Sequence, residues 1–314
     1  LESERMLHPV IDQTGVDTQN EVVKEEKRQR YDAPYGKLLK VLNENLFKVH
    51  PYKDENIGKM EHLDAATLEE FMAYHKTYYG PNNAVLIVAG DIETEETIEL
   101  VKKYFDEVPR GNEVVRNFPK EEPITENIRA KAYDRNIQIP MLLSTFRTPG
   151  FASRDSYVLD MISTYLSSGK SSVLYKKLVD NQKQALQTQV INLGQVDYNI
   201  FAILALPLGE VPLDTLLTEI VEEIEKVQNE LISERSYQKL LNKFESQFVN
   251  SNSSIAGIAN SLARYYLLYG DVNLINKEID IYRSITREEI RSVAQKYLSS
   301  NQRVDIEYLP ETGE

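Results

Sequence analysis

The sequence predicts an α+β protein made of two related domains, the first of which is incomplete at its N-terminus. Three observations predict this architecture. The 314 residues correspond to about two domains at roughly 150 residues each. Helical and strand-like patterns alternate along the chain, and a segment near residue 67 recurs near residue 286. The apolar fraction of 41% is ordinary for a globular protein, so both domains can bury a core.

The first part of the chain is mostly helical by its apolar spacing. Asp17 is a good N-cap for the first long helix, because its carboxylate can accept hydrogen bonds from the free N–H groups of the first turn. A turn rich in Gly, Pro and Asn at 80–83 precedes the apolar strand Ala84–Ala89. The predicted helices of this part cover residues 18–30, 37–46, 66–78 and 94–105.

A change in composition predicts a linker over residues 110–127. Gly111, Pro119 and Pro123 stand there among many charged residues, a combination that is typical of a connection between domains. The predicted domains therefore cover 1–109 and 128–310, and a short tail covers 311–314.

The second part alternates between strands and helices. Strands are predicted over 138–146, 187–193, 200–206 and 303–308. Helices are predicted over 153–166, 173–179, 213–229, 234–250, 255–269 and 287–297. The turn Ser167–Ser172 lacks the spacing of a phosphate-binding loop and follows a helix, so the sequence does not predict a nucleotide site there.

The most informative feature is an internal repeat. Residues 67–87 align without gaps with residues 286–306, at the offset of 219 that separates Thr67 from Thr286. The order of helix, turn and strand agrees as well. The identical residues are Thr67, Glu69, Glu70, Tyr78, Asn82 and Val85, which recur as Thr286, Glu288, Glu289, Tyr297, Asn301 and Val304.

The repeat predicts how much of the first domain this chain contains. If the second copy begins near residue 128, the same offset places the start of the first copy about 90 residues before Leu1. We therefore expect the front of the first domain to be missing from this chain.

The composition excludes several classes of function. A net charge of −13 disfavours nucleic acid and anionic membranes as partners, and no apolar run is long enough to span a bilayer. Without cysteine, a disulfide or a thiolate nucleophile is impossible. We expect a soluble protein, and the composition does not separate the periplasm from the cytoplasm.

Several segments together resemble the M16 family of zinc metallopeptidases, the insulinase, pitrilysin and processing-peptidase group. The resemblance covers almost the whole chain in the family's order, and no single motif carries it. The segments are Asn20–Glu26, His50–Tyr52, Tyr78–Asn83, Val88–Ile92, Phe146–Gly150 and Leu166–Tyr175. The resemblance implies two domains, each with a mixed, mostly antiparallel sheet packed by helices on one face. It also implies hydrolysis of peptide or unfolded protein in a chamber between two halves.

The family's metal site identifies one candidate ligand in this chain. Members bind zinc through an inverted His-x-x-Glu-His helix and a later glutamate, which matches Glu26. Two imidazoles and a carboxylate leave a position for a water whose pKa the metal lowers, and the glutamate between the histidines takes its proton. We expect Val22 and Val23 to be buried, which would aim Glu26 inward. Glu25 is the alternative ligand, on a different face.

The rest of the site is predicted to lie outside this chain. None of the four histidines is spaced four residues from another, so both histidine ligands and the catalytic base are expected upstream of Leu1. Gln19 stands where the family tends to place an acid seven residues before the ligand, which leaves any supporting role of that position in doubt. We therefore expect zinc in the full-length protein, and none bound to this chain.

The resemblance also indicates which half of the enzyme this is. Val179 and Leu186 stand where the substrate-gripping half carries an Arg and a Tyr, so the chain is similar to the rear of the zinc-bearing half. The partner half is then expected on the same chain or on a separate subunit. Two alternatives use the same fold: a non-catalytic partner of a peptidase and a scaffold subunit of a respiratory complex.

Overall fold

The computed structural model describes residues 1–311, and the elements are numbered in chain order. The helices are α1 (Glu2–Leu7), α2 (Gln13–Asp32), α3 (Leu38–Leu46), α4 (Met60–Ala65), α5 (Leu68–Tyr78), α6 (Thr94–Phe105), α7 (Arg154–Ser167), α8 (Leu213–Asn229), α9 (Glu234–Ser251), α10 (Ile255–Arg264), α11 (Leu274–Ser284) and α12 (Arg287–Tyr297). The strands are β1 (Ile128–Asp134), β2 (Met141–Pro149), β3 (Ala185–Leu193), β4 (Tyr198–Pro207) and β5 (Arg303–Pro310).

The chain divides into two compact units that interleave along the sequence. The first contains residues 1–32, 54–119 and 251–275. The second contains 33–53, 120–250 and the chain from Asn276 onward. Residues 110–127, the predicted linker, form no helix or strand. The predicted domain limits 1–109 and 128–310 stay a prediction, and of the predicted tail only Glu311 lies within the described residues.

The second unit is built on one five-stranded sheet with the order β1-β5-β2-β4-β3. β1 pairs with β5 in parallel, and every other neighbouring pair is antiparallel. The prediction of an α+β fold with a mixed, mostly antiparallel sheet is therefore confirmed. β1 was not predicted, because its alternating pattern includes Arg129 and Lys131 on the exposed side of an edge strand.

Helices cover both faces of this sheet, so the prediction of helices on one face is wrong. Cover on both sides explains why β2 is buried along almost its whole length. On one face Leu143 lies in a core cluster with Leu46 and Phe47, from α3 and the residue after it. On the other face Leu142 lies beside Leu217 of α8. Successive side chains of a strand point to opposite faces, so a strand covered on both sides reads as a continuous apolar run.

The two copies of the repeat share their helical part. α5 and α12 each contain 11 residues, and each begins after a threonine N-cap, Thr67 or Thr286. A short 3-10 turn follows each helix, at Pro81–Asn83 and at Ser300–Gln302, so the bounds agree at the predicted offset.

The copies differ in the segment that follows the turn. β5 is a sheet strand that contains Val304, whereas the predicted strand Ala84–Ala89 forms no ladder. A strand needs a partner for its backbone groups, and the first unit contains no strand within residues 1–311. The prediction that Val85 and Val304 lie on equivalent strands is therefore wrong for this chain.

The capping threonine of α12 allows a direct stability test. The Thr286 hydroxyl accepts a hydrogen bond from the backbone N–H of Glu289 at 3.1 Å. We expect Thr286→Ala to lower the free energy of unfolding by about 1 kcal/mol, because the N–H loses its partner at the helix start. Thr286→Ser retains the hydroxyl and is the matched control. Denaturant unfolding of both variants checks the prediction, and equal stability of the two would contradict it.

Candidate functional site

The candidate zinc ligand Glu26 lies on α2, in the first unit. The buried face of this helix is formed by Val16, Asn20 and Lys27. The Lys27 ammonium donates to the carbonyl oxygen of Gly58, which fixes this face against the loop before α4. The orientation of α2 within its unit is therefore set by contacts on a face about 100° around the helix from Glu26.

Glu26 lies on an exposed stripe of α2 together with Gln19 and Val22. These residues are three and four positions apart, so they project from one side of the helix. The expectation that Val22 is buried is wrong, since 53% of this residue is exposed. The reason is helical phase: Val22 is two residues beyond the buried Asn20, which places it on nearly the opposite side of the helix. Val23 is half-buried.

Both candidate carboxylates make surface ion pairs. Glu26 pairs with Arg30 at 3.2 Å and 60% of its side chain is exposed, and Glu25 pairs with Arg28 at the same distance. Such pairs contribute about 0–1 kcal/mol, so either carboxylate can leave its arginine for a metal ion at little cost. Neither carboxylate points into the interior of its unit, and the assignment of Glu26 over Glu25 stays a prediction.

The residues of this chain do not form a zinc site by themselves. Within residues 1–311, no three His, Cys, Asp or Glu side chains are placed to hold a metal ion. A catalytic zinc ion needs three protein ligands, and Glu26 can supply one of them. The sequence also shows why: the histidines lie far apart along the chain, and none accompanies Glu26 on α2.

The histidines have structural surroundings instead. His50 is 3% exposed, and its Nδ1 accepts a hydrogen bond from the backbone N–H of Tyr52 at 3.2 Å. Its Nε2 lies 3.4 Å from the Asp197 carboxylate. His75 stacks on Tyr79 with ring centroids 5.0 Å apart, and His8 pairs with Glu4 at 2.9 Å.

A buried carboxylate that sequence reasoning missed lies in the segment 110–127. Oε1 of Glu121 accepts hydrogen bonds from the backbone N–H groups of Lys48, Val49 and His50 at 2.8, 2.8 and 2.7 Å. Its Oε2 pairs with Arg147 of β2 at 3.1 Å, and both side chains are more than nine-tenths buried. Three successive N–H groups that converge on one anion form a backbone nest.

The nest determines the protonation of Glu121. Burial by itself raises the pKa of this carboxyl, but the three backbone N–H groups and the Arg147 guanidinium outweigh burial and hold the pKa below its ordinary value. Arg147 also donates to the carbonyl oxygens of Leu46, at 2.8 Å, and of Glu122. The end of α3, the segment 110–127 and β2 therefore meet at one ionised pair.

Val179 and Leu186, the positions predicted to correspond to the substrate-gripping Arg and Tyr of the family, carry apolar side chains. Val179 lies in a helical segment, Tyr175–Asn181, and Leu186 lies on the edge strand β3 with 45% of its surface exposed. Neither side chain can donate or accept a hydrogen bond.

A family model and known proteins match this chain. The model of the family described as "Peptidase M16 inactive domain" matches residues 65–244. The "Zinc protease PqqE" of Helicobacter pylori is 28% identical over 291 residues, which is 92% of this chain and 65% of that protein. The chain thus spans less than two thirds of the length of this curated relative.

Solved structures share the fold over nearly the whole chain. A crystal structure of a protease from Helicobacter pylori matches with a TM-score of 0.87 and 25% identity, over 95% of this chain and 73% of that one. The periplasmic protease PqqL of Escherichia coli is 14% identical. Its first half matches with a TM-score of 0.75 over 98% of this chain and 68% of that half. Against the full PqqL structure the TM-score is 0.77 and the match covers 35% of it.

No helix in the described residues has the length and apolarity needed to cross a bilayer.

Proposed function

This chain belongs to the peptidase M16 family, and from that premise we propose that it is part of a zinc-dependent endopeptidase that cleaves peptides or unfolded proteins. The family's curated relative from Helicobacter pylori is named a zinc protease and is longer than this chain. In this proposal the two histidine ligands and the catalytic base belong to a longer polypeptide. Glu26 is the ligand that this chain contributes.

The observation that carries the proposal is the exposed stripe of α2. Gln19, Val22 and Glu26 share one side of the helix, and the half-exposed Val22 lies between the two polar residues. An apolar side chain left in solvent between an amide and a carboxylate is suited to contact with a further segment of protein. In the proposal that segment is the one that carries the histidines, and Gln19 supports it as an uncharged hydrogen-bonding group.

A second half completes the proposed enzyme. The Escherichia coli protein whose first half has this fold contains a further half, since the match falls from 68% of the first half to 35% of the whole. We propose that a second M16 half, on the same polypeptide or on another subunit, encloses the substrate together with the present one. The absence of the Arg and Tyr at Val179 and Leu186 supports assignment of this chain to the zinc-bearing half.

A specific observation favours a second candidate function, that of a non-catalytic partner or scaffold. The matching family model describes an inactive domain, and Gln19 replaces an acid near the proposed ligand. In that case the longer polypeptide has the fold but lacks a complete ligand set.

Metal content and activity separate the two functions. We expect the 314-residue chain to bind no stoichiometric zinc and to cleave no peptide, because one exposed carboxylate cannot hold the metal. We expect the longer polypeptide, together with its partner half, to bind zinc and to cleave an unstructured peptide. Elemental analysis and a cleavage assay check both. A zinc-free, inactive longer protein would establish the non-catalytic partner, and tightly bound zinc in the chain alone would reveal a different site.

A further inference from the structure

A small cavity in the second unit is lined by lysine and hydroxyl side chains. Its volume is about 220 Å³, and the polar residues around it are Ser168, Ser171, Lys176, Ser236, Lys239 and Lys243. Among the described residues, no Asp or Glu side chain lines it. In a chain with 49 acidic and 36 basic residues, a wall with three lysines and no carboxylate is a local reversal of charge.

Two segments bring four of these groups together. Lys239 and Lys243 are one helical turn apart on α9, so they project from the same side. Ser168 and Ser171 belong to the turn after α7, in which Gly169 adopts a φ of 78°, a left-handed conformation that favours glycine. The backbone N–H of Ser172 donates to the Gly169 carbonyl oxygen at 3.0 Å and closes the turn.

Two of the three lysines of the cavity have neutral partners. Lys239 donates to the hydroxyl oxygen of Ser171, and Lys243 donates to that of Ser168. Among residues 1–311, neither ammonium has a carboxylate within salt-bridge distance. Each ammonium group carries three protons, so two donors per lysine are available to a ligand.

A neighbouring lysine shows the contrast. Lys177 pairs with Glu219 at 2.8 Å, with Glu222 at 2.9 Å and with Glu223 at 3.0 Å. Its charge is fully compensated from within the protein. Of these carboxylates, Glu223 also pairs with Lys226 at 2.6 Å.

We propose that this cavity binds a small ligand with closely spaced anionic oxygens. Lysine ammonium groups bind such oxygens as point charges, and the serine hydroxyls add neutral donors. The cavity is smaller than the roughly 300–1,000 Å³ of pockets for drug-sized ligands, which favours a compact group. A diphosphate and a pair of adjacent acidic side chains of a peptide both present this chemistry. The proposal is independent of the zinc peptidase assignment.

Calorimetric titration of the 314-residue chain with inorganic pyrophosphate at low ionic strength tests the proposal. We expect saturable 1:1 binding of pyrophosphate. An acidic protein repels anions in general, so such binding requires a local site that overcomes the repulsion. A second titration uses a short peptide with two adjacent glutamates. Binding of pyrophosphate alone identifies a small phosphate ligand, and binding of the peptide with higher affinity identifies a peptide ligand.

Three charge-removing variants localise the binding. We expect Lys239→Gln combined with Lys243→Gln to weaken pyrophosphate binding by about tenfold or more, since two charge-assisted hydrogen bonds are lost. Lys176→Gln, at an exposed position of the rim, should also weaken it without affecting folding. Lys277→Gln on α11 is the control, because it changes the net charge by the same amount as Lys176→Gln. Absence of saturable binding to either probe, or equal weakening by Lys176→Gln and Lys277→Gln, would overturn the proposal.

Discussion

If the chain is part of the proposed longer zinc peptidase, we expect Glu26→Gln in that polypeptide to reduce peptide cleavage by at least about 100-fold, since even outer-shell changes at metal sites cost about 10–100-fold. The substitution retains the size and polarity of the side chain and removes the negative charge that a zinc ligand supplies. Zinc content after dialysis and the initial rate of cleavage of a fluorogenic peptide measure the two effects.

Glu25→Gln is the matched control for this experiment. Glu25 is the adjacent residue of α2, is similarly exposed, and pairs with Arg28 at the distance at which Glu26 pairs with Arg30. The two variants have the same net charge. We expect Glu25→Gln to change activity by about twofold at most, as is usual for a surface substitution. Full activity of the Glu26→Gln protein would show that another residue is the third zinc ligand. Loss of activity with Glu25→Gln alone would assign the ligand to Glu25.

The second large effect is expected at Glu121. We expect Glu121→Ala to lower the free energy of unfolding by about 3–5 kcal/mol, because it leaves a buried guanidinium without its partner. The backbone N–H groups of residues 48–50 lose their shared acceptor as well. Denaturant unfolding followed by circular dichroism measures the change.

Glu122→Gln is the neighbouring control, since the Glu122 side chain is exposed and its backbone carbonyl, which Arg147 uses, is unchanged. Its stability should equal that of the parent chain within about 0.5 kcal/mol. If Glu121→Ala is no less stable than Glu122→Gln, the ion pair with Arg147 does not contribute to the fold.

The Glu121 site also has a predictable dependence on pH. The folded-state pKa of Glu121 is lower than its value in the unfolded chain, so the unfolded state binds the proton first as pH falls. The stabilisation is fully present above pH 4.5, the ordinary value of this carboxyl, and is lost as pH falls from there through the folded-state pKa. In Glu121→Gln the unfolding free energy should therefore decrease less steeply with falling pH below about 4.5.

Local patterns predicted those elements whose apolar spacing is regular. The helices at Thr94–Phe105, Leu213–Asn229 and Arg287–Tyr297 have the predicted bounds. The segment 84–89 has a clear strand pattern, yet it forms no ladder, because strand formation depends on a partner and helix formation does not. β1 and α11 were missed, since charged residues interrupt their apolar patterns.

The candidate sites also depend on contacts that local sequence patterns do not contain. Glu26 was predicted as a ligand by resemblance to a family motif and its helix by apolar spacing, and the structure adds its exposure. Glu121 stands among charges and prolines that read locally as solvated linker, and only the tertiary fold buries it beside Arg147, 26 residues away. The lysine cavity joins residues 75 positions apart, Ser168 and Lys243, and no local spacing predicts that contact.

The position of β5 in the sheet has a consequence for biosynthesis. This strand is the last of the five along residues 1–311, yet it lies between β1 and β2, and its residues pair with residues near 128 and 146. A ribosome therefore releases four strands before the one that joins β1 to the others. Until residue 310 has emerged, the edge of β2 that pairs with β5 is unpaired, and β1 has no hydrogen-bonding neighbour. Such distant pairing slows folding and leaves a growing chain dependent on protection from aggregation until β5 has been synthesised.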